Sequence, residues 1–257
     1  MLRDQITQDL KRGASPADEG VMWGPLAALG LALAIWLLLM GMGAGLAMIM
    51  SKLVTGSMSP VAPLHLELGT LVSSAVASGL AWIVIRARPG SAAVLSAPRG
   101  GVTSLIAVPV VFAVATLAYQ LGKASLGTRT PGPVGPTVVD GQLTLLGSDD
   151  KWAVIVGAVV AAPLVEELIL RGLLLPALAR SRLRFAGAAV VMTLLFVIMH
   201  PGGLMALTSP AVLLHWHLIL GLALCFVWWF TRSVWPCVLA HAAANLVLVG
   251  IVLRALP

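Results

Sequence analysis

The sequence predicts an all-α protein, a polytopic membrane helix bundle of about seven transmembrane helices with six to eight as the range. Composition is the first observation. Of the 257 residues 59% are hydrophobic and 10% charged, where a soluble domain carries roughly 25% charged residues; mean hydropathy is +1.00. The second is recurrence: apolar stretches of roughly the 20 residues needed to cross a bilayer follow one another along the chain. The third is charge placement. The net charge of +6 comes from sixteen Lys and Arg set almost entirely between the apolar stretches. The positive-inside bias accounts for that pattern, and a nucleic-acid partner is not expected.

Residues 1–20 read as a polar N-terminal segment with charges of both signs, and 21–257 as a single transmembrane domain. The first apolar run, 21–50, exceeds the roughly 7–15 residues of a signal-peptide core, so it reads as a retained span. Gly41, Gly43 and Gly45 mark it for close packing or a break. Further spans read as 66–86, 101–121, 152–179, 185–200, 211–230 and 233–253. The stretch "TRTPGPVGPTVVDGQLTLLGSDD" before the fourth is rich in Pro and Gly and reads as an extramembrane loop. Cys225 and Cys237 lie within apolar segments and read as small hydrophobes. Trp228, Trp229 and Trp235, near segment ends, fit an interfacial aromatic belt.

Orientation follows from the cations. With a cytoplasmic N-terminus that side holds Arg3, Lys11, Arg12, Arg86, Arg88, Arg99, Arg180, Arg182, Arg184 and Arg232, and the other side Lys52, Lys123, Arg129, Lys151 and Arg254. Ten against five favours the N-terminus inside. A break in the first span would invert every later one.

Polar residues within the spans are few. "AAPLVEELILRG", 161–172, sets Glu166, Glu167 and Arg171 into an otherwise apolar run, although an ionised side chain at mid-membrane costs about 2.5–3.5 kcal/mol. Glu167 and Arg171 are four apart and face each other on a helix in the favoured order, so they can neutralise one another. Glu166, about 100° round the helix, has no such partner in its own segment and is left available as a general base. "FVIMH" sets Phe196 and His200 on one face, and "HAAAN" does the same for His241 and Asn245. If the fourth and fifth spans fold back near residue 183, Glu166 lies seventeen residues before the turn and His200 seventeen after it, hence at equal height. At about 1.5 Å per residue, Asn245 and His241 stand roughly 20 and 14 Å beyond Arg232. Groups from three helices can therefore meet. "HWH", His215 to His217, and "HLE", His65 to Glu67, read as interfacial, because residues two apart point to nearly opposite sides of a helix.

In this order the motifs "EELILR", "FVIMH" and "HAAAN" resemble the EExxxR, FxxxH and HxxxN signatures of the CPBP membrane proteins. That family comprises the CAAX prenyl endopeptidases of the second type with their bacteriocin-processing and Abi-like relatives. The resemblance covers roughly 152–250, includes Gly172 after the arginine, and departs at Leu170, where the family usually has an aromatic residue. It implies a catalytic core at 152–250 and an intramembrane endopeptidase acting on a membrane-associated peptide or protein. Glu166 and His200 would hold and deprotonate a water. His241 and Asn245 would donate to the oxyanion, at about 2.7–4 kcal/mol per donor. Glu167 and Arg171 would orient Glu166, and Phe196 would position His200. No cofactor is expected. A zinc ion held by Glu166, His200 and His241 is the alternative, since two histidines and a carboxylate form a known catalytic set. The chain has no HExxH, no GxSG and no aspartate pair in its spans. A non-catalytic scaffold, immunity or regulatory protein of the same fold is the competing class, and a small transporter a third, for which the chain shows no repeats. The Ala- and Gly-rich, loop-poor composition points to a prokaryotic plasma membrane.

Overall fold

The structure, a computed structural model, describes residues 23–58, 61–125, 149–200 and 216–255; the polar N-terminal segment, nearly all of the Pro- and Gly-rich loop, and His215 lie outside them. Every regular element among the described residues is helical. The principal helices are α1 (Pro25–Thr55), α2 (Pro63–Arg86), α3 (Gly101–Ser125), α4 (Lys151–Ala179), α5 (Arg184–Met199), α6 (Trp216–Thr231) and α7 (Trp235–Ala255). Five are long and apolar enough to cross a membrane, while α5 and α6 have 16 residues each. Sixteen residues reach about 24 Å, short of the roughly 30 Å hydrocarbon layer. The protein is thus a polytopic helical membrane bundle, integral to the bilayer.

Helix α1 starts on Pro25, whose fixed φ suits a first turn. It ends at Gly56, in the left-handed region at φ 76° with its N–H on the carbonyl of Lys52. It runs unbroken through Gly41, Gly43 and Gly45, so the break that would invert the topology is absent. Of the three, Gly43 serves packing, while Gly41 and Gly45 face open space: a Cβ at Gly69 of α2 would run into the carbonyl of Gly43 and lie 3.1 Å from the Ala47 nitrogen. Helices α1 and α2 pair closely, α3 packs on α7, α5 pairs with α6, and α4 touches α1, α2, α5 and α7. Helix α4 is therefore the central element, with an almost continuous buried stretch from Val165 to Ala177. The outer helices turn leucines outward, Leu26 at 85% and Leu53 at 80% exposure. On a soluble protein such a surface would aggregate; facing lipid it carries no penalty.

Hydrogen bonds lock the turns at one end. Arg99 N donates to Thr231 O and Val234 N to Val94 O, while Ser233 Oγ donates to Ser96 O and Trp235 Nε1 to Leu95 O. The antiparallel helices bring Arg86, Arg88, Arg99, Arg180, Arg182, Arg184 and Arg232 to this end. Arg232, at φ 54°, lays its guanidinium 3.9 Å over the Trp229 ring and 5.3 Å from that of Trp228. Trp228 is buried rather than part of an interfacial belt. At the opposite end His65 and Glu67 are also buried, packed into the bundle and not turned outward. Gly157 of α4 lets the Glu67 carboxylate in, its oxygen 3.4 Å from where a Cβ would stand.

Replacing Gly69 by Ala forces α1 and α2 apart, so the bundle should lose about 1–3 kcal/mol. Gly41→Ala, with open space around it, should be neutral or stabilising by up to about 1 kcal/mol. Thermal unfolding in detergent micelles separates the two, and equal midpoints would contradict this account of the α1–α2 contact.

Candidate active site

Helix α4 changes its winding around the two glutamates. Gly157–Ala161 and Leu168–Leu174 are π-helical, and Ala162–Glu167 between them is α-helical. Such turns are rare and concentrate at functional sites. The end of the first is explained by one residue. Ala162 N–H bonds Gly157 O, five residues back. The next donor in that ladder would be residue 163, a proline without an N–H. Ala158 O is left to another donor, and Asn245 Nδ2 of α7 supplies it at 2.8 Å.

One turn on, the adjacent glutamates enter different surroundings. Glu167 is fully buried; its Oε1 accepts from Arg171 Nη1 at 2.9 Å and from His241 Nδ1 at 3.0 Å. Arg171, equally buried, also donates through Nη2 to Gly221 O of α6 at 2.9 Å. Gly221 makes that approach possible, since a Cβ there would stand 3.2 Å from Phe196 and 3.4 Å from the Thr193 backbone. Arg171 further lies over the Phe196 ring at 5.0 Å. The pairing foreseen between Glu167 and Arg171 is therefore a three-way contact that includes His241.

Glu166 has a sparser environment. Its Oε2 is buried and accepts no hydrogen bond among the described residues. Among the described residues the nearest cationic or imidazole group is His200 Nε2 at 3.9 Å, too far for a direct bond. His200 caps α5 and sets Nδ1 2.6 Å from Phe196 O. A carbonyl, and a carboxylate paired with arginine, can only accept, so both His200 and His241 carry hydrogen on Nδ1. In their neutral forms each presents an Nε2 lone pair.

The structure thus brings Glu166 to His200 and Glu167 to Arg171 and His241, with the buried Phe196 ring 4.6 Å from His200 and 5.5 Å from His241. Asn245 is not drawn to the glutamates but to Ala158, eight residues before Glu166. No three His, Cys, Asp or Glu side chains among the described residues are arranged to hold a metal ion. One participant went unrecognised in the sequence. His217 stacks on His200 at 3.9 Å and 23°. Its signal was present, because it lies one turn before Gly221 on the same face of α6.

Fold and site define a helical integral membrane protein with two glutamates, an arginine and two histidines gathered in the bundle interior. A family profile described as Type II CAAX prenyl endopeptidase Rce1-like matches residues 148–247. Over that stretch, from α4 to the middle of α7, the chain is similar to this family and carries the three motifs by which it resembles the CAAX endopeptidases. No curated protein and no solved structure matches the chain.

Two stability tests follow. Arg171→Ala strands the buried Glu167 carboxylate and should cost about 3–5 kcal/mol. Asn245→Ala should cost about 1–3 kcal/mol by orphaning Ala158 O. In a Pro163→Ala background, where residue 163 regains its N–H, the same change should cost clearly less. Additive losses in this double-mutant cycle would refute the link between Pro163 and Asn245.

Proposed function

We propose that the protein is an intramembrane endopeptidase of the CAAX type in which Glu166 and His200 activate the attacking water. The family match to CAAX prenyl endopeptidases supports the reaction class. The observation that carries the residue assignment is the contrast between two neighbouring carboxylates: Glu167 is engaged through Oε1 by Arg171 and His241, while the buried Glu166 Oε2 accepts no hydrogen bond among the described residues and lies 3.9 Å from His200 Nε2. A water about 2.8 Å from each fits that separation. Both groups accept, so the water donates one hydrogen to each and turns its oxygen lone pairs outward. Attack on a scissile carbonyl passes a proton to Glu166, which delivers it to the departing amine as the C–N bond breaks.

His241 and Asn245 are assigned to the oxyanion side with defined restrictions. His241 Nδ1–H is committed to Glu167, so it can donate there only through Nε2 in the doubly protonated form. One Asn245 Nδ2 hydrogen is committed to Ala158 O and leaves the other for substrate. Glu167, Arg171 and Phe196 act as positioning residues. No step is assigned to a metal. The substrate is a membrane-associated peptide or protein, and the arginine-rich end of the bundle is placed on the cytoplasmic side.

A fluorogenic prenylated peptide and the purified protein in detergent provide the test. Glu166→Gln should lower kcat by about 10²–10⁴-fold, the usual contribution of a general base, without loss of thermal stability. Equal cleavage by wild type and this variant would sink the Glu166 assignment. A fold retained without turnover would show as no cleavage by either protein. A tight chelator should leave the rate unchanged; inhibition reversed by zinc would replace the water-only scheme with the zinc alternative.

A further inference from the structure

We propose that His217 is a positioning residue that holds the His200 imidazole in register with Glu166; the inference rests on the hydrolytic reading above. His200 stands beyond the last turn of α5 with extended backbone, φ −91° and ψ 149°. It lies outside the helical ladder of α5, so no helical turn of α5 encloses its side chain. Among the described residues its ring makes one hydrogen bond, Nδ1–H to Phe196 O at 2.6 Å, which fixes the tautomer but does not by itself stop the ring from tilting about that contact. A tilt carries Nε2 away from Glu166, because Nε2 lies across the ring from Nδ1. The nearly parallel His217 ring, 3.9 Å away, opposes that tilt. Phe196, 4.6 Å from His200 at 58°, bears on it only obliquely.

The placement of His217 is itself set by the buried charge network. Gly221, one turn further along α6, accepts from Arg171 Nη2, and its missing Cβ lets α6 close on α5. A continuous path therefore runs from Glu167 through Arg171 and Gly221 to His217. It returns through His200 to Glu166, the residue next to the starting point. His217 acts on Glu166 through the His200 ring it stacks on, which separates its role from that of a catalytic group. Stacking needs a flat ring and not a ring nitrogen, so phenylalanine should substitute for it.

The experiment compares wild type, His217→Ala, His217→Phe and Glu166→Gln on a fluorogenic prenylated peptide. It also records the His200 ring signals of ¹³C-histidine-labelled protein in micelles, assigned with His200→Gln. His217→Ala should lower kcat by about ten- to a hundredfold, the range expected of a misplaced group, with KM within about twofold, and should move the His200 ring protons downfield as the ring current is lost. His217→Phe should restore both kcat and the upfield position. Wild-type kcat in His217→Ala would overturn the proposal, and so would His217→Phe as slow as His217→Ala, which would assign the nitrogen and not the ring. If wild type itself fails to hydrolyse the peptide, or matches Glu166→Gln, the hydrolytic reading fails. The spectra then still decide the contact: unmoved His200 signals in His217→Ala overturn it, and a shift reversed by His217→Phe upholds it.

Discussion

Glu167 Oε1 receives the Arg171 guanidinium at 2.9 Å and the His241 imidazole at 3.0 Å in a region closed to solvent. Arg171 then reaches the Gly221 carbonyl. Helices α4, α6 and α7 are thereby tied through charged groups at a depth where apolar surface gives no preference for one neighbour over another, since lipid tails are as apolar as leucine. Charge-assisted bonds are about twice as strong as neutral ones and directional. The network thus specifies which helices meet and at what rotation. Leu168, Leu173, Leu174 and Leu175, all buried, fill the space that this arrangement defines.

From that constraint the asymmetry of the adjacent glutamates follows. A helix turns about 100° between neighbours, so a carboxylate next to Glu167 must point out of the network. Glu166 consequently meets His200 at the C-terminal end of α5. The hydrogen-bond directions agree with this division. Each histidine is anchored through Nδ1 to a group that can only accept, so the reactive face of each ring is set by its support.

Much of this was legible beforehand, for identifiable reasons. Helix positions follow from hydrophobic runs matched to bilayer thickness, the Glu167–Arg171 contact from i, i+4 geometry, and the meeting of Glu166 with His200 from equal distances to the basic turn. What was not legible depended on neighbours. His217 was read against His215, two residues away, whereas its partner lies on another helix. The burial of His65 and Glu67 was hidden because the Gly157 notch that receives Glu67 is on α4. Asn245 shares a face with His241, yet its partner carbonyl is exposed by a change of winding that no hydrophobic pattern signals. Pro163 was the available clue, and only the observed register gives it meaning.

A π turn is in effect an α-helix holding one residue too many, and α4 closes its first such turn at Pro163, just before the glutamates. Removing a residue within Gly157–Ala161 would let regular helix run through with the faces on both sides kept in register, because the surplus residue is what the wide turn absorbs. The segment that bears Glu166, Glu167 and Arg171 would stay in place against α5 and α6, and the outer part of α4 would keep its face toward α2 and α7. A single codon gained or lost at this point is therefore absorbed by the winding, whereas in a uniform helix it would turn every later residue by about 100°.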